Sequence, residues 1–389
     1  LENMGLMTMT NSTATAKPRV MPDKKFWAGK RVLVTGHTGF KGSWLALWLG
    51  AMGAEVHGIA LDPLSEPNHF TLAGVKDYLA SDHRRDIRDG DAVSKIVTGI
   101  QPEIVFHLAA QPIVRVSYKD APYTFAVNTM GTVNILEAIR LTDSVRVATM
   151  ITTDKVYEDQ HWPHPYRETD MLGGYDPYSA SKGCAEIVIS SYRRSFLEGQ
   201  GKSIASARAG NVIGGGDWSE DRLIPDAIRA FSTGKALELR KPDAVRPWQH
   251  VLDVLTGYLM LAEAQWRKPE EFSRAWNFAP DTSSEETVGF VASHMAQMWG
   301  DKAEAVFKPN PDDPKETALL RLDSSLARTY LDWESNWPIM DVLKNTVQWY
   351  KTAVEGNSIM RDISLAQIAD YCGEEATTTG GQKQKQQIA

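Results

Sequence analysis

Short apolar runs alternate along this chain with longer stretches of helical spacing, and that alternation predicts its architecture. Arg31 to Thr35 is a β-branched apolar run, and Ser43 to Met52 behind it carries apolar residues at helical intervals. Glu55 to Leu61 repeats the strand pattern, a third strand is expected ahead of Asp86, and Ile104 to Leu108, Arg146 to Ile151 and Ser203 to Ala207 follow. Between them the spacing predicts a helix from about Thr124 to Thr142 and a long helix that carries Tyr178. Alternating strands and helices imply an α/β fold with a parallel, doubly wound sheet, whose ligands lie at the carboxyl ends of the strands. The glycine run Gly214-Gly215-Gly216 ends the alternation and marks a crossover into a smaller region that covers the substrate.

Composition narrows the partners. With 389 residues, 42% hydrophobic and 23% charged, the chain is long enough for one large domain or two smaller ones with a sizeable core. A net charge of -7 and the lack of a long Lys/Arg block argue against nucleic acid and against an anionic membrane surface. The most apolar stretch, Trp44 to Leu61, is interrupted by Glu55, His57 and glycines, and so reads as helix into strand, not as a membrane span. Cys184 and Cys372 match no metal or CxxC spacing, which suggests reduced thiols in a cytoplasmic enzyme. Leu1 to Pro22 has neither a basic nor an apolar signal region and is expected to be a disordered leader, and the polar tail from Thr377 is expected to fray. No metal site is expected: His161 and His164 lack a third ligand nearby.

The first candidate chemistry follows the first strand. Gly36-His37-Thr38-Gly39-Phe40-Lys41-Gly42 stands between strand and helix, where backbone N–H groups and a helix N-terminus can hold a pyrophosphate. Its GxxGxxG spacing is weak by itself. Its context is stronger, because the next strand ends at Asp62, whose carboxylate suits the ribose hydroxyls of NAD and repels a 2′-phosphate; the nearby Lys41 tempers that preference. Asp86 and Ile87, after the third strand, are candidates to meet the adenine. Ala109 and Ala110 follow the fourth strand at the same edge.

Thr152-Thr153-Asp154-Lys155-Val156-Tyr157 and Tyr178-Ser179-Ala180-Ser181-Lys182 carry the second. Tyr178 and Lys182, four apart, share a helix face, where an ammonium favours a phenolate and helps hold a hydroxyl for hydride transfer. Asp154 and Lys155 form another titratable cluster that a simple alcohol dehydrogenase does not need, so oxidation followed by further chemistry is expected. Later in the chain, Arg240, Arg246 and His250 lie among turn residues and Trp248, and a planar guanidinium there can grip a diphosphate bidentately.

With these residues the chain resembles the extended short-chain dehydrogenase/reductases, and within them the nucleotide-sugar 4,6-dehydratases. The resemblance covers roughly residues 26 to 355 and rests on the glycine turn with Ser43-Trp44-Leu45, on Thr152 to Tyr157, on Tyr178 and Lys182, on Asn211 to Trp218 with Leu223 to Asp226, and on Arg246 to Val251. It implies a Rossmann-type NAD-binding domain over 26-210 with a returning segment near 247-275, a smaller mixed α/β substrate domain over 211-246 and 276-360, a tail over 361-389, a leader over 1-25, and a homodimer or dimer of dimers. Gly36, Thr38, Gly39, Phe40, Gly42, Asp62, Asp86, Ile87, Ala109, Ala110, Thr152, Tyr178 and Lys182 would then bind NAD. Tyr178 would take the proton of the sugar 4-hydroxyl, Lys182 would lower the tyrosine pKa and hold the nicotinamide ribose, Thr153 would bond the 4-oxygen, and Asp154 would protonate the departing 6-hydroxyl. Asn211, Arg246 and Asn277 would bind the substrate diphosphate or nucleotide, and Leu223, Arg240 and His250 are further candidates for binding the substrate.

One position departs from most of that family, which has glutamate as the C5 base where this chain has Lys155. The CDP-glucose branch is similar in carrying lysine there, and the pattern leaves three roles open: direct base, base through water, or tuning of Asp154. The rival readings are a dTDP- or GDP-sugar dehydratase, a 4-epimerase using Tyr178 and Lys182 without elimination, and a non-catalytic dinucleotide sensor.

Overall fold

A computed structural model describes residues 19-281, 284-300, 302-308, 320-356 and 359-374. Seven strands form its main sheet: β1 (Arg31–Thr35), β2 (Glu55–Ala60), β3 (Leu79–Arg84), β4 (Ile104–His107), β5 (Val147–Ile151), β6 (Ser203–Ala209) and, after three strands of a smaller region, β10 (Ala275–Phe278). They pair in parallel in the order β10-β6-β5-β4-β1-β2-β3. Successive side chains of a strand point to opposite faces, and each face meets a separate core. Val32, Val34, Ile104 and Phe106 join one core with the helices Phe40–Ala51 and Val251–Arg267, whereas Leu33 and Val105 join another with Gly90–Ile100, Gly131–Arg140 and Pro177–Tyr192. Helices on both faces explain why the central strands β1, β4 and β5 are largely apolar without alternation.

The chain leaves β1 toward β2 in one direction and returns through β4 in the other. Such a reversal opens a crevice at the carboxyl ends of the strands. The loops after β1, β4 and β5 all reach that edge. Beyond β6 lie β7 (Asn211–Ile213), β8 (Leu237–Leu239), β9 (Val245–His250), β11 (Glu285–Thr287) and β12 (Ala305–Phe307), grouped as β11-β9-β7 and β12-β8. With the helices Leu223–Ser232, Val288–Trp299 and Ile339–Glu355 they make the smaller region beside the crevice.

The observed boundaries differ from the expected ones in three places. Residues expected to end the leader belong to a short helix, Lys24–Trp27, tied to the body by Asp23 N–H and Trp27 Nε1 donating to Glu263; residues 1-18 of that leader lie outside the described residues. β10 makes the returning segment run past residue 275. The tail expected from residue 361 begins as the helix Met360–Cys372, whose Tyr371 hydroxyl donates to the buried Asp253 at 2.7 Å, and only its end, 375-389, lies outside the described residues. The helix expected over 124-142 is present with a π turn, Ala126–Met130, set into it.

Candidate active site

The glycine turn fits a dinucleotide by shape. Gly36 has φ +74°, and a Cβ there would stand 2.7 Å from Ala109 N, so the loops after β1 and β4 touch through a gap only glycine leaves open. A Cβ on Gly42 would lie 2.1 Å from Gly36 O, so the first turn of Phe40–Ala51 packs directly on the strand end. Its N-terminal N–H groups then face the crevice without a capping side chain at Gly39. Thr38 Oγ1 donates to Leu61 O at 2.9 Å, and His37, buried, bonds Asp82 of β3 at 2.9 Å. Together they fasten the turn to β2 and β3.

The other cofactor candidates border the same crevice. Asp62 is exposed just past β2, with Arg84 3.6 Å away. Asp86 accepts from the Arg88 guanidinium at 2.7 and 3.0 Å, which holds its carboxyl below the usual value by hydrogen bonding first and charge after it. Ile87 is buried against Gly131. Ala109 N donates to Thr35 Oγ1 at 3.2 Å, and Ala110 follows it, half-buried. Thr152 follows β5 with its hydroxyl given to Glu186 and its N–H to Ala207 O of β6.

Tyr178 and Lys182 lie on Pro177–Tyr192, which starts with proline behind an Asp176 cap that accepts from Ser179 N. Lys182 Nζ donates to Ile151 O at 3.0 Å, so the β5 terminus sets the lysine. Asn128, on the π turn, donates to Gln111 O and to Ser181 Oγ, pinning the back of the catalytic helix to the loop after β4. Sequence reasoning missed Asn128, because a π turn leaves no periodic signal.

Electrostatics divide the groups. Burial lifts the Asp154 carboxyl above its usual value, with Lys155, the Thr153 hydroxyl (2.9 Å away) and Arg246 pulling it back. Burial also pushes the Tyr178 phenol up to about 12, against the Thr153 hydroxyl and Arg222. The expected acidification of Tyr178 by Lys182 is therefore not a property of these residues alone. Burial lowers Lys182 to about 8, with Glu186 opposing. Lys155, next to Asp154 in the chain, is exposed.

Behind the site, Arg208 grips Glu186 bidentately at 2.9 and 2.8 Å, and Glu186 also accepts from Ser206 at 2.7 Å. Burial raises the Glu186 carboxyl, but Arg208, Thr152 and Ser206 outweigh it and hold it low.

The expected diphosphate residues separate into two groups. Asn211 on β7, Leu223 at the start of Leu223–Ser232, Arg240 past β8 and Arg246 on β9 are all half-buried, and Arg246 acts on Asp154 across the crevice. His250 and Asn277 do not belong with them. His250 is buried, caps Val251–Arg267 by accepting from Leu252 N, and is driven down to about 3 by burial, so it offers no cation. Asn277 is fully buried: its amide donates to Tyr166 O and Asp323 O and accepts from the Tyr157 hydroxyl at 2.7 Å. Arg222, in the Arg222-Leu223-Ile224-Pro225 segment, instead reaches the electrostatic field of Tyr178. Among the described residues, no three His, Cys, Asp or Glu side chains could hold a metal ion, and no helix is long and apolar enough to cross a membrane.

The comparisons agree with this arrangement. The family model for GDP-mannose 4,6 dehydratase matches residues 33–346. The chain is 45% identical over 356 residues to CDP-glucose 4,6-dehydratase of Salmonella typhimurium, covering 90% of this chain and 98% of that one. It is 30% identical to GDP-mannose 4,6-dehydratase of Vibrio cholerae, covering 82% and 93%. Among solved structures, UDP-glucose 4-epimerase of Thermus thermophilus in complex with NAD superposes with a TM-score of 0.68 at 26% identity, covering 83% of this chain and 99% of that one. The Stenotrophomonas maltophila UDP-glucose-4-epimerase, with bound NAD and formylated UDP-arabinopyranose, gives 0.72 at 21%, covering 84% and 99%, and shows the shared fold. On its sequence, its doubly wound sheet and the match over most of its length, the chain belongs to the GDP-mannose 4,6 dehydratase family.

Proposed function

We propose that this protein is an NAD-dependent lyase that converts CDP-glucose to CDP-4-keto-6-deoxyglucose and water. One observation carries the reaction type: a buried carboxyl, Asp154, which burial holds above its usual pKa, adjoins the redox pair Tyr178 and Lys182. An epimerase needs no such acid. The near full-length likeness to a CDP-glucose 4,6-dehydratase supports the nucleotide.

NAD held in the crevice would supply reversible hydride transfer, from C4 and back to C6, and positive charge that favours the Tyr178 phenolate. Tyr178 takes the proton of the 4-hydroxyl, and the Thr153 hydroxyl holds the same oxygen. Lys182, fixed on Ile151 O, holds the nicotinamide ribose. The resulting ketone makes the C5 proton acidic, and Lys155 in its neutral form removes it, directly or through one water. Asp154 gives its proton to the 6-hydroxyl as water departs, a role that its burial suits. Arg246 and Arg240 face the diphosphate, with Asn211 and Leu223 beside them.

The free thiols of Cys184 and Cys372 fit a cytoplasmic setting. Exposed Met130 (53%) and Ile187 (60%), on the π turn and the catalytic helix, offer an apolar face for a homodimer built through long helices. Incubation with CDP-, dTDP-, GDP- and UDP-hexoses in D₂O, followed by mass spectrometry and NMR, tests the reading. Loss of water with deuterium at C5 from CDP-glucose alone is expected; inversion at C4 without water loss would refute it.

A further inference from the structure

Residues 214-222 link β7 to the helix Leu223–Ser232, and their last part, 217-222, lies at the mouth of the crevice. One end of that part belongs to the smaller region: the Tyr350 hydroxyl, on Ile339–Glu355, donates to Asp217 O, and the Arg229 guanidinium donates to Trp218 O and Ser219 O, each at 3.1 Å. The other end is tied to the main sheet's side. The Asp221 carboxylate lies 3.2 Å from the guanidinium of Arg115, on the short helix Val114–Lys119 that follows β4. Asp221 has φ +59°, a left-handed conformation that Asp and Asn tolerate better than other side chains do. At that turn successive side chains part. Asp221 goes to Arg115, whereas Arg222 comes within 4.0 Å of Asp217, and its charge acts on both Tyr178 and Lys41.

We infer that Arg115 and Asp221 are positioning residues, whose ion pair closes the segment 217-222 across the crevice and holds Arg222 beside Tyr178. The effect on the reaction rests on the dehydratase reading above; the closure does not. Both side chains are more than a third exposed, at 42% and 37%, so the pair is screened by water and weak by itself. That weakness suits a contact that breaks each time a nucleotide sugar enters or leaves. With the segment closed, Arg222 sets a cation near a phenol that burial pushes up, and a nearby cation favours the phenolate as Tyr178 takes the 4-hydroxyl proton. With the segment open, Arg222 leaves with it. Arg115 and Asp221 thus act through Arg222 and not on the sugar.

Two measurements on the full chain test this. In native-state trypsin digestion, the rate of cleavage after Arg222, followed by mass spectrometry, reports opening of the segment. Arg115→Met should speed that cleavage about two- to fivefold, and so should Asp221→Asn, which removes the charge but keeps a residue that tolerates the left-handed turn. The double variant should be no faster than either single one, and Arg115→Lys should stay near wild type. In turnover of CDP-glucose the same single variants should lower kcat by a similar factor with KM little changed, and Arg115→Met should cost nothing further on an Arg222→Met background. Unchanged cleavage in the single variants, or effects that multiply in the double one, overturns the closure. A full further loss on the Arg222→Met background overturns action through Arg222. Cleavage as expected, with no turnover of CDP-glucose by wild type, would instead overturn the dehydratase reading and leave the closure standing.

Discussion

The pair Arg208 and Glu186 carries the most exposed prediction about stability. Both side chains are buried, at 3% and 4% exposure, with their charged atoms 2.8 Å apart. Arg208→Met removes two charge-assisted hydrogen bonds to the carboxylate, a third, at 2.7 Å, to the Tyr157 hydroxyl, and a fourth, at 3.1 Å, to Glu168 O. Glu186 keeps Thr152 and Ser206 but loses the guanidinium that pairs with it. Breaking such a pair from one side costs about 3–5 kcal/mol, since the remaining charge stays desolvated. The sign with pH follows. In the wild type Glu186 is held below its ordinary value, so its stabilisation is present above the unfolded-state pKa and is lost as pH falls through the folded one. In the variant burial is no longer outweighed, the folded pKa rises, and the penalty is full at alkaline pH and shrinks as Glu186 takes up a proton. Urea unfolding of wild type and variant at pH 8 and pH 5 measures both, and Arg208→Met with Glu186→Gln should recover most of the loss. A loss below about 1 kcal/mol at pH 8, or one that does not shrink at pH 5, would refute the reasoning.

Other consequences concern the site. Glu186→Gln removes the charge that supports Lys182, so the alkaline limb of kcat/KM, expected near pH 8 in the wild type, should move to lower pH; an unmoved limb separates Lys182 from that ionisation. Asp154→Asn should still oxidise C4 but lose about 10²–10⁴-fold in water elimination, seen as transient absorbance of reduced cofactor at 340 nm without product. Lys155→Met should retain that absorbance and lose deuterium exchange at C5, whereas retained exchange would assign the C5 proton elsewhere. Gly42→Ala sets a Cβ 2.1 Å from Gly36 O and should abolish NAD binding by calorimetry, and normal affinity would show that the cradle can yield.

The proposed reaction departs from that of an epimerase at three residues after β5, Thr153, Asp154 and Lys155. The Tyr178–Lys182 pair serves oxidation in either case, and the fold by itself favours neither outcome. Thr153 caps the short turn that follows by accepting from Lys155 N, which points the Asp154 side chain inward, where it is buried, and leaves Lys155 exposed. The acid of the proposed mechanism is thus placed in the dry half of the site, and its lysine in the wet half.

Much of this was legible in the sequence because it depends on local rules. Six strands of the sheet, the glycine turn and the catalytic pair follow from two periodicities, from Gly36 and Gly42, and from a four-residue spacing on one helix. Residues whose meaning depends on distant partners were not legible. His250 looks like a ligand beside Arg246 and Trp248, yet it begins a buried helix, and its ring caps that helix while packing 4.7 Å from Trp337, almost ninety residues away. Asn277 looks like a polar strand end, yet the two loops that pack over it consume its amide. Lys41 is the converse case. In the sequence it is one basic residue in a glycine turn, weighed only for a 2′-phosphate, and nothing local tells that its ammonium will meet Lys182 and Arg222. A side chain's chemistry in such positions is set by which charges the fold brings against it, so the residues that sequence patterns assign least securely are those where long-range electrostatics, and not spacing, decide the proton.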